Sequence, residues 1–182
     1  GKGALLPAFI TVSNIRSRTP ARVRTGNERV LNARLADAKF FWETDAIQPL
    51  SARTKALENV LFHHALGSLA GKTRRIEKLS AKIAQAVGAP AAACVRAAIL
   101  CKSDLVTGMV GEFPDLQGIM GRYLARHDGE PAAVARAIEE HYLPRYAGGA
   151  LPQSPAGQVL ALADRLDSLV GLFIAGEEPT GE

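Results

Sequence analysis

Arg96-Ala97-Ala98-Ile99-Leu100-Cys101-Lys102-Ser103-Asp104 is the stretch whose reading decides the fold. Ala97 to Cys101 is apolar and made mostly of good helix formers, so it predicts a short buried helix. The run then stops on Lys102 and Asp104. Charged side chains are seldom buried without a partner, so a buried helix ending in a lysine and an aspartate predicts a polar junction inside the protein. Leu160-Ala161-Leu162-Ala163-Asp164-Arg165-Leu166-Asp167 has the same form, and the two stretches are read as helices that meet at that junction.

Working outward, Pro90 opens the helix that carries Arg96 to Cys101, and Gly88 closes the one before it. That earlier helix starts after a Ser68 cap and places Leu69, Ile76, Leu79, Ile83 and Val87 at helical spacing. Downstream, Met109, Val110 and Phe113 extend the apolar pattern to Pro114. Leu116–Arg126 and Pro131–Tyr142 read as further helices, and a Pro- and Gly-rich loop from Pro144 to Pro155 leads to a last helix from about Ala156 to Ile174. Upstream, Pro20 to about Thr44 reads as a helix that Gly26-Asn27 divides or weakens. Leu50 to Leu66 reads as another, with Leu57, Val60, Leu61 and Leu66 inward. Phe9-Ile10-Thr11-Val12 alone has strand character. The fold class expected is mainly all-α, with seven to nine helices.

Composition bounds the function classes. A chain of 182 residues with 47% hydrophobic content is long enough for one well-cored domain with an appendage. No apolar run approaches the ~20 residues that span a bilayer, so no membrane partner is expected. The chain opens Gly1-Lys2-Gly3 with no secretory signal and reads as an internal piece of something longer. The two cysteines, Cys94 and Cys101, form no disulfide framework, which points to a reducing cytoplasm. A net charge of +4 permits contact with nucleic acid without requiring it. Arg16, Arg18, Arg22 and Arg24 form a basic cluster, and Arg74, Arg75 and Lys78 a second one. The plain reading of both is solvated charge and the sharper reading is phosphate contact. No aromatic residue interleaves with the first cluster, so base stacking is unsupported.

Catalytic motifs are scarce. His63-His64 is read on a helix, where adjacent side chains do not face each other and so do not chelate one ion. His127-Asp128 looks like a metal dyad, but a histidine before Gly129 at a helix C-terminus is also favourable to the dipole alone. Phosphate loops, nucleophile elbows and zinc-protease signatures are missing from the sequence.

From Lys72 onward the order of elements resembles the HD phosphohydrolase superfamily. That resemblance implies a helical bundle in which two histidines and two aspartates hold a divalent metal. Lys72-Thr73-Arg74-Arg75-Ile76 stands at the first histidine, Ala97 to Lys102 at the His-Asp dyad, and Leu162-Ala163-Asp164-Arg165-Leu166 at the last aspartate. Only Asp164 keeps its residue type, and the other positions read Lys72, Cys101 and Lys102. An ammonium group has three donors and no lone pair, so it does not ligate a metal. The expectation is a degenerate, metal-free site comprising Lys72, Cys101, Lys102, Asp104 and Asp164, in which Lys72 or Lys102 pairs with Asp104 or Asp164.

Longer words resemble the β-subunit family of bacterial heterotetrameric glycyl-tRNA synthetase. They include Gly26-Asn27-Glu28-Arg29-Val30-Leu31, Ala33-Arg34-Leu35-Ala36-Asp37-Ala38-Lys39-Phe40-Phe41, Cys101-Lys102-Ser103-Asp104-Leu105-Val106-Thr107, Tyr123-Leu124-Ala125-Arg126-His127-Asp128-Gly129-Glu130 and Tyr142-Leu143-Pro144-Arg145-Tyr146-Ala147-Gly148. The resemblance implies a part of a glycine–tRNA ligase that supports recognition of tRNA(Gly), with an α subunit as partner in an α2β2 tetramer. It implies ATP with Mg as a requirement of the whole enzyme, glycine activation in the α subunit, and no cofactor, metal or catalytic residue in this piece. The domains expected are a strand remnant and helical linker over 1–66 and an HD-like helical domain over 67–182. Two alternatives compete with this reading. One is a working metal phosphohydrolase built on His64, His127, Asp128 and Asp164, and the other is a purely structural helical scaffold.

Overall fold

A computed structural model describes residues 6–177. The chain divides into two compact units, Gly1–Lys39 and Phe40–Glu182. Eight α-helices and one two-stranded hairpin occur among the described residues, so the protein is mainly all-α.

In the first unit, residues 6–19 run without regular structure into helix α1, Pro20–Asp45. The strand expected at Phe9–Val12 is not formed. A β-rich run needs a neighbouring strand to take its backbone groups, and no strand pairs with it among the described residues. Gly26-Asn27 does not split α1. Asn27 turns its amide back onto the carbonyl of Val23, 2.9 Å away within the same helix.

The second unit begins inside α1 at Phe40. The single helix expected over Leu50–Leu66 is instead three pieces: α2 (Leu50–Arg53), a 3₁₀ turn (Thr54–Asn59) and a hairpin of β1 (Leu61–His63) and β2 (Gly67–Ser68). Gly67, at φ +82°, supplies the left-handed residue that reverses the chain. The Leu69 N–H donates to the Val60 carbonyl at 2.8 Å and closes the turn. The β-branched Val60 and the aromatic Phe62 flank Leu61, which favours the pleated conformation over the helical one. His63 and His64 therefore lie on a hairpin, and Leu61 faces solvent rather than the core.

Five helices make the bundle: α3 (Leu69–Val87), α4 (Ala91–Leu100), α6 (Ile119–His127), α7 (Ala132–Glu140) and α8 (Pro155–Ile174). Ser68 caps α3 through the Gly71 N–H, and Gly88 at φ +69° ends it. Helix α4 is central and packs on α3, α7 and α8. It fits there because its inward residues are small: Cys94, Ala97, Ala98 and Cys101 are fully buried, with Leu100 as the larger plug. Ile76, Leu124, Ile138 and Leu160 complete this core. Arg96, at its edge, forks onto Glu130.

Four helix starts are held by distant carboxylates, two of them alongside the local caps Thr107 and Ser154. Asp45 accepts from the Gly108 and Met109 N–H groups (3.0 and 2.8 Å) and caps α5, Gly108–Glu112. Asp128 accepts from the Leu50 N–H at 2.7 Å and caps α2. Asp104 accepts from the Gly118 and Gly121 N–H groups (2.6 and 3.0 Å) and caps α6. Glu140 accepts from the Ser154 N–H at 2.9 Å, at the start of α8. A carboxylate at a helix N-terminus satisfies orphan donors and complements the dipole.

Candidate functional site

The end of α4, the end of α7, the second turn of α3 and the middle of α8 converge on one carboxylate, Asp164. Helix α4 finishes at Leu100 and the chain turns, so Lys102 points back along the bundle. Its Nζ donates to Asp164 Oδ2 at 2.8 Å and to His141 Nε2 at 2.9 Å. Lys72 approaches from α3. Its Nζ lies 2.9 Å from Asp164 Oδ1 as a charge contact, and it donates to Ser168 Oγ at 2.7 Å and Asp167 Oδ2 at 3.1 Å. Arg75, one turn along α3, takes Asp167 with two donors at 2.6 and 3.2 Å. Two aromatic faces complete the shell. Phe62 lies 4.5 Å from Lys72 Nζ and Tyr142 lies 4.3 Å from Lys102 Nζ, both in cation–π range.

Both lysines are buried, at 3% and 5% exposure, so each ammonium group relies on these partners in place of water. Burial alone works against a charged Lys102, but Tyr142 and Asp164 outweigh it and the pKa rises. Burial would raise Asp164, but Lys102, His141 and Lys72 outweigh it and hold the carboxyl well below the usual carboxylate range. His141 is fully enclosed. Its Nδ1 donates to the Ile138 carbonyl at 2.6 Å, which leaves Nε2 bare to accept from Lys102. Burial and the adjacent Lys102 charge keep this imidazole neutral, with a pKa well below 6.5. The site is thus two ammonium groups and a guanidinium neutralising two carboxylates, with a neutral histidine as an added acceptor.

A divalent metal does not fit this donor set. Asp164 is taken by two cations that cannot ligate. Cys101 is buried, donates weakly to the Ala98 carbonyl, and burial pushes its thiol up to about 12, so it stands as a neutral thiol. Asp104 does not meet either lysine. Both of its amide partners belong to the start of α6, and burial raises its pKa against the pull of those N–H groups.

The residues of the phosphohydrolase alternative are dispersed. His64 is exposed on the hairpin, His127 packs edge-on against Trp42, and Asp128 caps α2. Among the described residues no group of three or more His, Cys, Asp or Glu side chains is placed to hold a metal ion. Of the basic candidates, Arg16, Arg18, Arg22 and Arg24 are exposed, and Arg24 lies 3.8 Å from Glu28. Arg74 is exposed beside Glu58 at 3.6 Å, Lys78 is exposed, and Arg75 is held on Asp167.

Two members of the junction have no assigned role in the sequence reading. Asp167 had a legible signal, because the i,i+3 spacing from Asp164 puts both on one helix face. His141 had none, since only the packing of α7 on α8 brings it to Lys102.

The glycyl-tRNA synthetase beta subunit family matches residues 1–182. The chain belongs to that family. A glycine–tRNA ligase beta subunit of Chromohalobacter salexigens is 57% identical over 180 residues, covering 99% of this chain and 26% of the relative. Those of Janthinobacterium sp. (strain Marseille) and Coxiella burnetii are each 52% identical, over 181 and 180 residues, again covering 26% of the relative. The chain thus spans about a quarter of the length of these glycyl-tRNA synthetase beta subunits.

Proposed function

We propose that this chain is a non-catalytic helical module of the glycyl-tRNA synthetase β subunit, of degenerate HD type, that supports recognition of tRNA(Gly) while the whole enzyme attaches glycine to it. In this reading the whole enzyme uses ATP with Mg, works with an α subunit in the cytoplasm, and draws no metal or cofactor from this module. The observation that carries the reading is the charge junction: two lysine ammonium groups stand on Asp164 where a working HD site needs open metal-ligand positions. Such a centre holds α3, α4, α7 and α8 in register and offers no vacant ligand and no activated water.

The RNA-facing role falls to the exposed cations. Arg16, Arg18, Arg22 and Arg24 form one patch and Arg74 with Lys78 another; Arg75 is committed to Asp167. Phosphate contacts of this kind release counterions, so binding weakens as salt rises. The test is tRNA binding by the full-length subunit across a salt series, with Arg22→Glu/Arg24→Glu and Arg74→Glu/Lys78→Glu variants. Each lost phosphate contact lowers the slope of log affinity against log salt by about one. Unchanged slopes in both variants sink the RNA-facing assignment and leave the module as a scaffold. Stoichiometric manganese, iron or zinc in the purified protein overturns the non-catalytic reading.

A further inference from the structure

The second half of α8 is amphipathic the wrong way round. Its inward residues are polar or small. Asp167 and Ser168 serve Lys72 and Arg75, and Gly171 lies against Leu66, where a Cβ would come within 2.8 Å of a leucine methyl. Its outward residues are apolar: Leu166, Leu169, Val170, Phe173 and Ile174 are 37%, 45%, 52%, 56% and 78% exposed. A surface helix normally shows water its polar face, and a helix apolar on its outer side belongs in an interior or an interface.

The spacing says what kind of surface fits. Leu162, Leu166, Leu169 and Phe173 follow one another at intervals of four, three and four, which is the a/d seam of a helix that packs another helix. Beside the seam runs a groove of about 530 Å³, walled by Tyr142, Leu162, Leu166, Leu169 and Leu172, wide enough to take large apolar side chains. The face is unsuited to nucleic acid. Its one cation, Arg165, spends its donors on the carbonyls of His141, Ala161 and Pro144.

We propose that the outer face of α8, Leu162 to Ile174, is the docking face for an amphipathic helix supplied by the part of the β-subunit polypeptide that lies outside these residues. The related subunits are about four times as long as this chain, which covers 26% of them, so roughly three quarters of such a polypeptide is there to supply it. A covering segment on the same chain meets the face at high effective concentration and needs no second molecule. Docking there also covers the side of the junction that borders the groove, because Tyr142 and Asp164 are among its lining residues.

The test uses the full-length subunit with Leu169→Cys or Phe173→Cys. Cys94 and Cys101 are free and fully buried in the native protein but react once urea exposes them, so labelling is followed at the introduced residue by peptide mass analysis. Maleimide labelling of the native subunit is compared with labelling of the same variant in urea. The expected result is labelling at least about tenfold slower in the native subunit, at every protein concentration and without α subunit. Labelling as fast as in urea overturns the proposal. Protection that appears only at high concentration assigns the face to a second copy, and protection only after α subunit is added assigns it to that subunit; both outcomes overturn it as well. A second variant guards against cysteine artefacts. Leu169→Glu in the same subunit is expected to lower the unfolding temperature, whereas an unchanged melting curve means that the face is open to water and the proposal fails.

Discussion

Removing Asp164 and removing Lys102 are predicted to have different consequences, although the two form one ion pair. In Asp164→Asn, Lys72 keeps Asp167 and Ser168 at 3.1 and 2.7 Å, but Lys102 is left with only a neutral histidine and an aromatic face. A stranded buried charge costs about 3–5 kcal/mol. In Lys102→Met no charge is stranded, because Asp164 retains Lys72 at 2.9 Å; the loss is then about 1–2 kcal/mol, the worth of charged hydrogen bonds replaced by packing. The double variant Asp164→Asn/Lys102→Met is less damaged than the sum of its parts, with a coupling of about 2 kcal/mol. Urea unfolding followed by the fluorescence of Trp42, the single tryptophan, measures all three. With a urea dependence of about 2 kcal/mol per molar, Asp164→Asn moves the midpoint down by about 2 M. The pH dependence gives an independent check. In the native protein Lys102 has a raised pKa, so its contribution is complete below the unfolded value of about 10.5 and fades as pH rises through the folded one. In Asp164→Asn the carboxylate is gone, and Tyr142, whose own pKa is raised by burial, supplies no charge in this range, so burial lowers the pKa instead. The deficit of the variant therefore shrinks between neutral pH and about pH 10. A midpoint within about 0.5 M of wild type, or a deficit that does not change with pH, refutes the argument that Asp164 is what keeps Lys102 charged in the interior.

Three further outcomes follow from the same geometry. His141 is held neutral, so its contribution is present above the ordinary histidine value of about 6.5 and is lost as pH falls below it; Asp164 adds a second loss only below the usual carboxylate range. Thermal unfolding across mildly acid pH shows this first decline in wild type and a shallower one in His141→Gln. Gly121→Ala places a Cβ 2.6 Å from Ile138 Cγ2 and 3.0 Å from Asp104 Oδ2, an overpacking of about 1–3 kcal/mol that Ile138→Val partly relieves in urea unfolding. Asp104→Ala removes the carboxylate oxygen that accepts from two amide N–H groups at the start of α6 and lowers stability by about 1–2 kcal/mol. Hydrogen exchange then speeds first at Gly118 and Gly121.

How much was legible in the sequence differed by element. Helices α3, α4 and α8 declared themselves through apolar spacing, and α3 and α4 also through Ser68, Gly88 and Pro90, whose effects are local. The junction was half legible. Lys102 and Asp164 stand out because charges at the ends of apolar runs need partners. Which aspartate each lysine takes depends on helix packing, so Asp104 was a reasonable partner that turned out to be a cap. The hairpin at Leu61–Ser68 was missed because a short run of mixed apolar character satisfies helix and strand periods equally. The reversed polarity of α8 was hidden for the same reason: period identifies a helix, but only the position of Asp167 against Lys72 and Arg75 tells which side faces in.

The distant carboxylate caps have a consequence for where this polypeptide tolerates cutting. The start of α5 depends on a residue 63 positions upstream, and that of α2 on one 78 positions downstream. A truncation that begins after Asp45 therefore strips two amide hydrogen bonds from a helix it leaves intact in sequence, with only the Thr107 cap remaining. One that stops before Asp128 takes the acceptor of the Leu50 N–H from α2, near its opposite end. The boundaries of a self-sufficient piece are set by these crossed dependencies. Loop exposure alone is a poor guide to where it divides.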